Sequence, residues 1–248
     1  MINDEHRKKL EKASSRSGYF SGEGYKLLII STDFHSQNAG FVFLGDEIFE
    51  KNGKEFIKVD FAKFETAVKS AINYFRTNLD KYEEEVLSTE NLIYKNTFDS
   101  NFLEKYFKLK HNFSIFTILH QYFMIALNEF VDEFINYKKE FKNDIQSLKR
   151  MDKIIDDTAS RLAITFSYYN SLKDKKHNKN LYILTVISAF FLPLNLITGF
   201  FGMNTGDMFL SGKYGTTIVL LSIIFIIITA IFYIIKTQNK SQNLNKTR

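Results

Sequence analysis

The 248-residue chain has no cysteine, no tryptophan and a single proline, Pro193, and no glycine occurs between Lys54 and Thr198. Without cysteine there is no disulfide framework and no thiolate metal site, which fits a reducing compartment. Without helix breakers, the long middle of the chain has nothing to stop a helix once one starts. One-sided charge is also lacking. Lysine and arginine number 33 against 28 acids, a formal net charge of +5, and the two signs are mixed throughout the soluble part. With no Gly/aromatic RNA motif either, nucleic acid is the weaker option and is not expected as a partner, and an anionic membrane surface is the neighbour a mild basic excess suits. The first residues, MINDEHRKKLEKASSRSGYF, have no apolar h-region and are not expected to be a secretory signal.

Catalytic patterns are missing too. Gly22-Glu23-Gly24 is only a turn, no P-loop or metalloprotease His pair occurs, and no nucleophile–base constellation is visible. An enzyme is not expected. His111, His120 and His177 lack a metal-site spacing and read as surface or packing residues.

What the chain does have is two uncharged apolar runs, 181–201 (LYILTVISAFFLPLNLITGFF) and 214–235 (YGTTIVLLSIIFIIITAIFYII). Each reaches the roughly 20 residues that cross a bilayer core. Lys173, Lys175, Lys176 and Lys179 precede the first run, and Lys236, Lys240, Lys246 and Arg248 follow the second. The connecting loop carries only Asp207 and Lys213. The positive-inside rule puts both termini in the cytoplasm. The expected division is a cytoplasmic α+β domain with stalk helix over 1–180 and a membrane hairpin with a cytoplasmic tail over 181–248.

The first run differs from the second. It carries Thr185, Ser188, Asn195 and Thr198 close to one helical face, which continues to Gly202. A polar stripe on a membrane helix faces protein or water. It is either interhelical packing glue or a pore lining. Asn195 favours the pore, because a mid-membrane amide needs a partner or water. Pro193 adds to this by leaving the Ala189 carbonyl without its donor. Leu184 and Leu192 lie on or near the same face and are candidate apolar constrictions.

Upstream, Tyr25–Ser31, Gly40–Leu44 and Glu55–Val59 read as strands, with a hairpin at Lys51-Asn52-Gly53-Lys54 after Glu47–Glu50, a sheet of three or four strands. Helical spacing predicts one helix from about Phe61 to Leu87, a second from about Phe113 to Tyr137 with a shorter one near Asn101–Leu109, and a third from Phe141. The third carries an apolar stripe of Phe141, Ile145, Leu148, Ile155, Ala159, Leu162, Phe166 and Tyr169. It should run unbroken into the first membrane run, on the order of 90 Å; a loop at the polar KDKKHNKN stretch is the alternative. Two acidic groups, Asp80/Glu83/Glu84/Glu85/Glu90 and Asp152/Asp156/Asp157, read as solvated faces or, alternatively, as a cytoplasmic divalent-ion sensor.

Gly202-Met203-Asn204 at the end of the first run, the Pro193-Leu194 pair before it, Asn178 just ahead of the run, and the terminal two-span hairpin together resemble the CorA family of magnesium transporters, over roughly Asp144 to Ile235. The loop after the motif, TGDMFLSG, departs from the family's acidic, proline-containing loop and is similar in its TG to the related ZntB zinc transporters. The resemblance implies a homopentamer in a bacterial-type inner membrane, carrying divalent cations, Mg2+ first, with Zn2+, Co2+ or Ni2+ as the alternative cargo. It implies no cofactor beyond Mg2+ as transported and regulatory ion. Asn204 would form a ring of amides at the outer mouth, meeting the ion through its hydration waters, with a helix C-cap as its alternative role. Met203 would pack, thioether being too soft for Mg2+. Asn178 would sit at the inner mouth, Leu184, Thr185, Ser188, Leu192, Asn195 and Thr198 would line the pore, and Asp152, Asp156 and Asp157 are the candidate regulatory carboxylates. A membrane-anchored scaffold that moves no ion is the reading from another class.

Overall fold

The computed structural model describes residues 2–11, 16–32, 38–53 and 55–202, together with 214, 215, 217, 218, 221, 224, 225, 228 and 229. The chain divides into two compact units, Met1–Tyr169 and Asn170–Arg248. The physical reason is packing: Tyr169 is the last residue of the long C-terminal helix that is buried against other aromatics.

The first unit opens with a short helix, α1 (Asp4–Glu11), followed by five strands, β1 (Gly18–Gly22), β2 (Tyr25–Ile30), β3 (Ala39–Leu44), β4 (Glu47–Asn52) and β5 (Glu55–Val59). They form an antiparallel meander in the order β1-β2-β3-β4-β5, larger than the three or four strands expected. Strand β1 is the addition. Its sequence, GYFSG, reads as turn-rich, yet it pairs with β2 from Gly18↔Ile29 to Gly22↔Tyr25, because Gly24 takes the left-handed φ of 74° that closes a two-residue hairpin. The KNGK hairpin forms as expected, joining β4 to β5 with Asn52 opposite Glu55.

Strand β2 carries a nearly unbroken apolar run because both its faces are covered. Leu28 and Ile30 enter the main core with Phe41, Phe43 and Ile48. Tyr25, Leu27 and Ile29 point the other way, into a smaller cluster with Val42 and Leu10 of α1. The Tyr25 hydroxyl accepts from the Asn3 backbone N–H at 3.0 Å, which anchors α1 over the sheet.

Helix α2 (Phe61–Tyr94) begins where Asp60, in extended conformation, accepts from the Lys63 N–H at 3.0 Å, an N-cap worth about 1 kcal/mol. It runs past the expected end at Leu87 because Val86 and Ile93 keep burying the same face. Helix α3 (Phe102–Glu133) is a single element where two were expected. No breaker intervenes, and Tyr106, Leu109 and Phe113 carry the buried face across the supposed gap. A single 3-10 turn, Ile135–Tyr137, follows.

Helix α4 (Lys142–Gly202) is continuous through KDKKHNKN, as expected. Its buried face corrects the predicted stripe at one point. Ala159 is exposed, while Leu148, Met151, Ile155, Thr158, Leu162, Thr165 and Tyr169 are buried, alternating steps of three and four. Two threonines share that face, a detail that an apolar-only pattern overlooks. The core itself is built on phenylalanine: Phe64 makes ring contacts at 5.1–5.2 Å with Phe41, Phe43 and Phe130, joining sheet, α2 and α3.

In the second unit, among the described residues one helix, α4, is long and apolar enough to cross a membrane, and none of that apolar stretch is buried. The expected second span, 214–235, lies largely outside the described residues; those described between 215 and 229 are helical, with the Thr229 hydroxyl donating to the Phe225 carbonyl at 3.0 Å.

Candidate functional site

The second-unit part of α4 has two unlike faces. Val186, Phe190, Pro193, Leu194 and Ile197 are half-buried, and at 3.6 residues per turn they cluster on one side. The polar stripe lies opposite. Thr185, Ser188, Asn195 and Thr198 are all exposed, as are Asn178, Leu184, Leu192 and the terminal Gly202. The stripe therefore turns away from the face that the chain itself covers, which weakens the reading of these residues as glue within one chain's own hairpin. Met203 and Asn204 lie outside the described residues.

The two threonine hydroxyls are oriented alike. Thr185 Oγ1 donates to the Leu181 carbonyl at 2.9 Å. Thr198 Oγ1 lies 2.9 Å from the Leu194 carbonyl and 3.2 Å from that of Asn195. Each hydroxyl spends its one proton on its own helix, so the lone pairs left facing outward can only accept. An acceptor face suits the hydration shell of a cation, whose waters present their hydrogens outward. Pro193 sits inside the helix, so the Ala189 carbonyl one turn before it has no intrahelical donor and is a further acceptor at this depth.

The carboxylates of the first unit are differently placed. Among the described residues no three His, Asp or Glu side chains gather in an arrangement able to hold a metal. Asp156 and Asp157 are exposed on α4. Asp152 is half-exposed, its Oδ1 3.7 Å from Nδ1 of the fully buried His120. Burial holds the His120 imidazole below its ordinary pKa, against the opposing pull of Asp152 and of the Leu148 carbonyl, so it is neutral at pH 7. At 3.7 Å the Asp152 carboxylate is too far for a hydrogen bond to the imidazole. The Phe75 ring meets the imidazole edge-on at 5.5 Å. His120 is thus a packing residue, legible from its flanking Phe116 and Phe123. Of the other acidic group, Glu90 is taken by Arg161, a pairing no sequence signal announced.

The described residues thus hold an N-terminal antiparallel sheet, long packed helices, and one exposed apolar helix long enough to cross a membrane. The profile of the family described as CorA-like Mg2+ transporter protein matches residues 53–236, well over half of the chain, and the chain belongs to this family. Members are membrane transporters of divalent cations and not enzymes. No curated protein matches the sequence. Among solved structures, the complete CorA magnesium transporter from Methanocaldococcus jannaschii superposes with a TM-score of 0.69 at 14% identity, covering 94% of this chain and 82% of that one. The full-length CmaX protein gives a TM-score of 0.66 at 12% identity, covering 96% and 82%. At such identities these likenesses speak for the fold alone.

Proposed function

We propose that the chain is a Mg2+ influx pore formed by five copies, with α4 of each lining a central path and the Gly202-Met203-Asn204 motif at the outer mouth. The observation that carries the reading is the exposed acceptor stripe on the face of α4 that the chain leaves uncovered. Mg2+ is small and sheds its waters reluctantly. A ring of neutral Asn204 amides, followed by Thr198 and Asn195, would hydrogen-bond those waters and still release the ion, where a ring of carboxylates would hold it. Leu192 and Leu184 would narrow the path by apolar rings, and Asn178 would sit at the inner mouth. No nucleotide is required: an inside-negative potential favours divalent influx by about 4.6 kcal/mol per 100 mV, twice the single-charge value. Asp156 and Asp157, exposed on α4, and the half-exposed Asp152 are the carboxylates open to a second copy for regulation by Mg2+.

The test is dye-reported Mg2+ uptake into liposomes holding the purified protein under an inside-negative potential, beside Asn204→Ala. Voltage-driven uptake lost in the variant is the expected result. Uptake of Zn2+, Co2+ or Ni2+ alone would keep the scaffold and change the cargo. No movement of any divalent ion in folded protein would favour the non-transporting scaffold.

A further inference from the structure

The stripe on α4 does not stop where the apolar run does. Stepping back from Ser188 by fours and threes reaches Leu184, Leu181, His177 and Asp174 on one helical face. His177 lies about five helical turns before Asn195, at nearly the same angle around the axis. Asp174 and His177 are three residues apart in Asp174-Lys175-Lys176-His177, which makes them surface neighbours roughly 5–6 Å apart at Cβ. Both are exposed. The histidines share no metal-site spacing among themselves, and the expectation that His177 is an ordinary surface residue rested on that. A carboxylate and an imidazole at i, i+3 on a helix can nonetheless turn an oxygen and a nitrogen onto one ion, the arrangement that helical bundles use for metal centres.

The surrounding charges permit this. Lys175, Lys176 and Lys179 fall on the far side of the helix, and only Lys173 flanks the pair. One chain supplies two protein ligands, in keeping with the lack of any three-ligand group among the described residues, so the coordination sphere closes only when a second copy brings the same pair.

We propose that Asp174 and His177 form a binding site for a borderline divalent d-block cation, of the Zn2+, Co2+ or Ni2+ class, at the Asn178 end of the stripe, completed by the same two residues of another copy. The placement on a shared axis rests on reading α4 as the conduction helix. The chemistry discriminates between ions. Imidazole suits Zn2+, Co2+ and Ni2+, whereas Mg2+ takes oxygen ligands and keeps its waters. The pair would therefore bind a d-block ion more tightly than Mg2+.

The experiment is a Co2+ titration of the purified full-length protein, followed by the visible absorption of Co2+, which reports nitrogen ligation. Saturable binding at fewer than one ion per chain is expected, weakened by about tenfold or more in His177→Ala and in Asp174→Asn, and retained in His111→Ala. His177 is exposed, so thermal unfolding of His177→Ala should match the wild type. An unchanged spectrum in His177→Ala, or equal loss in His111→Ala, overturns the site. Mg2+ uptake measured on the same wild-type preparation separates the two readings. A His177-dependent Co2+ signal without Mg2+ uptake leaves the metal site standing and sinks the pore. Uptake with a spectrum indifferent to His177 does the reverse.

Discussion

Arg161 of α4 grips Glu90 of α2 with two parallel hydrogen bonds, Nε to Oε1 at 3.2 Å and Nη2 to Oε2 at 2.7 Å. The pair is partly buried, and Glu90 holds the Arg161 guanidinium even more firmly protonated than usual. A fork of this kind fixes the rotation of one helix against another, which a single lysine ammonium cannot do. Arg161→Lys should therefore destabilise the first unit by about 1 kcal/mol. Glu90→Gln should behave similarly and add little to Arg161→Lys in the double variant. Thermal unfolding of the detergent-solubilised protein checks this; additive losses would show that the two residues act independently.

Gly40 is set directly beneath α1. A Cβ built on it would come within 2.2 Å of Leu10 Cδ1, and Leu10 is itself buried. Gly40→Ala should push α1 off the sheet and cost about 1–3 kcal/mol by overpacking. Combined with Leu10→Ala, which costs about 2–5 kcal/mol alone, the Gly40 change should lose most of its effect. Proteolytic clipping near residues 2–11 gives a second readout, and faster clipping in Gly40→Ala is expected.

His120 ties stability to pH. Its folded pKa is lowered chiefly by burial, so the unfolded chain binds the proton first. The penalty is absent well above the unfolded value near 6.5 and grows as pH falls through it, by up to about 1.4 kcal/mol per pH unit until the folded imidazole itself protonates. His120→Leu should flatten this part of the stability–pH curve. It should also be close to neutral at pH 8, since it replaces a buried imidazole that makes no side-chain hydrogen bond with an apolar side chain of similar size. An unchanged slope between pH 6.5 and 5 in His120→Leu would assign that slope to other groups.

Thr198 offers its oxygen only as an acceptor, because its proton is committed to the backbone. Thr198→Val keeps the shape and deletes that acceptor, so under the proposed pore Mg2+ uptake should fall. Thr198→Ser restores the oxygen and should recover most of it. Equal uptake in the valine and serine variants would remove Thr198 from the conduction path.

Much of this architecture was legible in the amino-acid sequence. The unbroken course of α4, the β4–β5 hairpin and the apolar run over 181–201 could all be read, because each depends on local chemistry: missing breakers, a glycine able to take positive φ, a stretch without charge. Tertiary structure decided what local chemistry leaves open. It added β1, whose glycines suggest only turns, by pairing it with β2. It joined α3 across Leu109–Phe113, buried Thr158 and Thr165 among apolar neighbours, sealed His120 against Phe75, and matched Arg161 with a glutamate 71 positions away. It also determined which side of α4 the chain covers and which it leaves exposed. Those outcomes depend on which helix faces meet, and burial is a property of the meeting surfaces, not of the residues that happen to be adjacent in the chain.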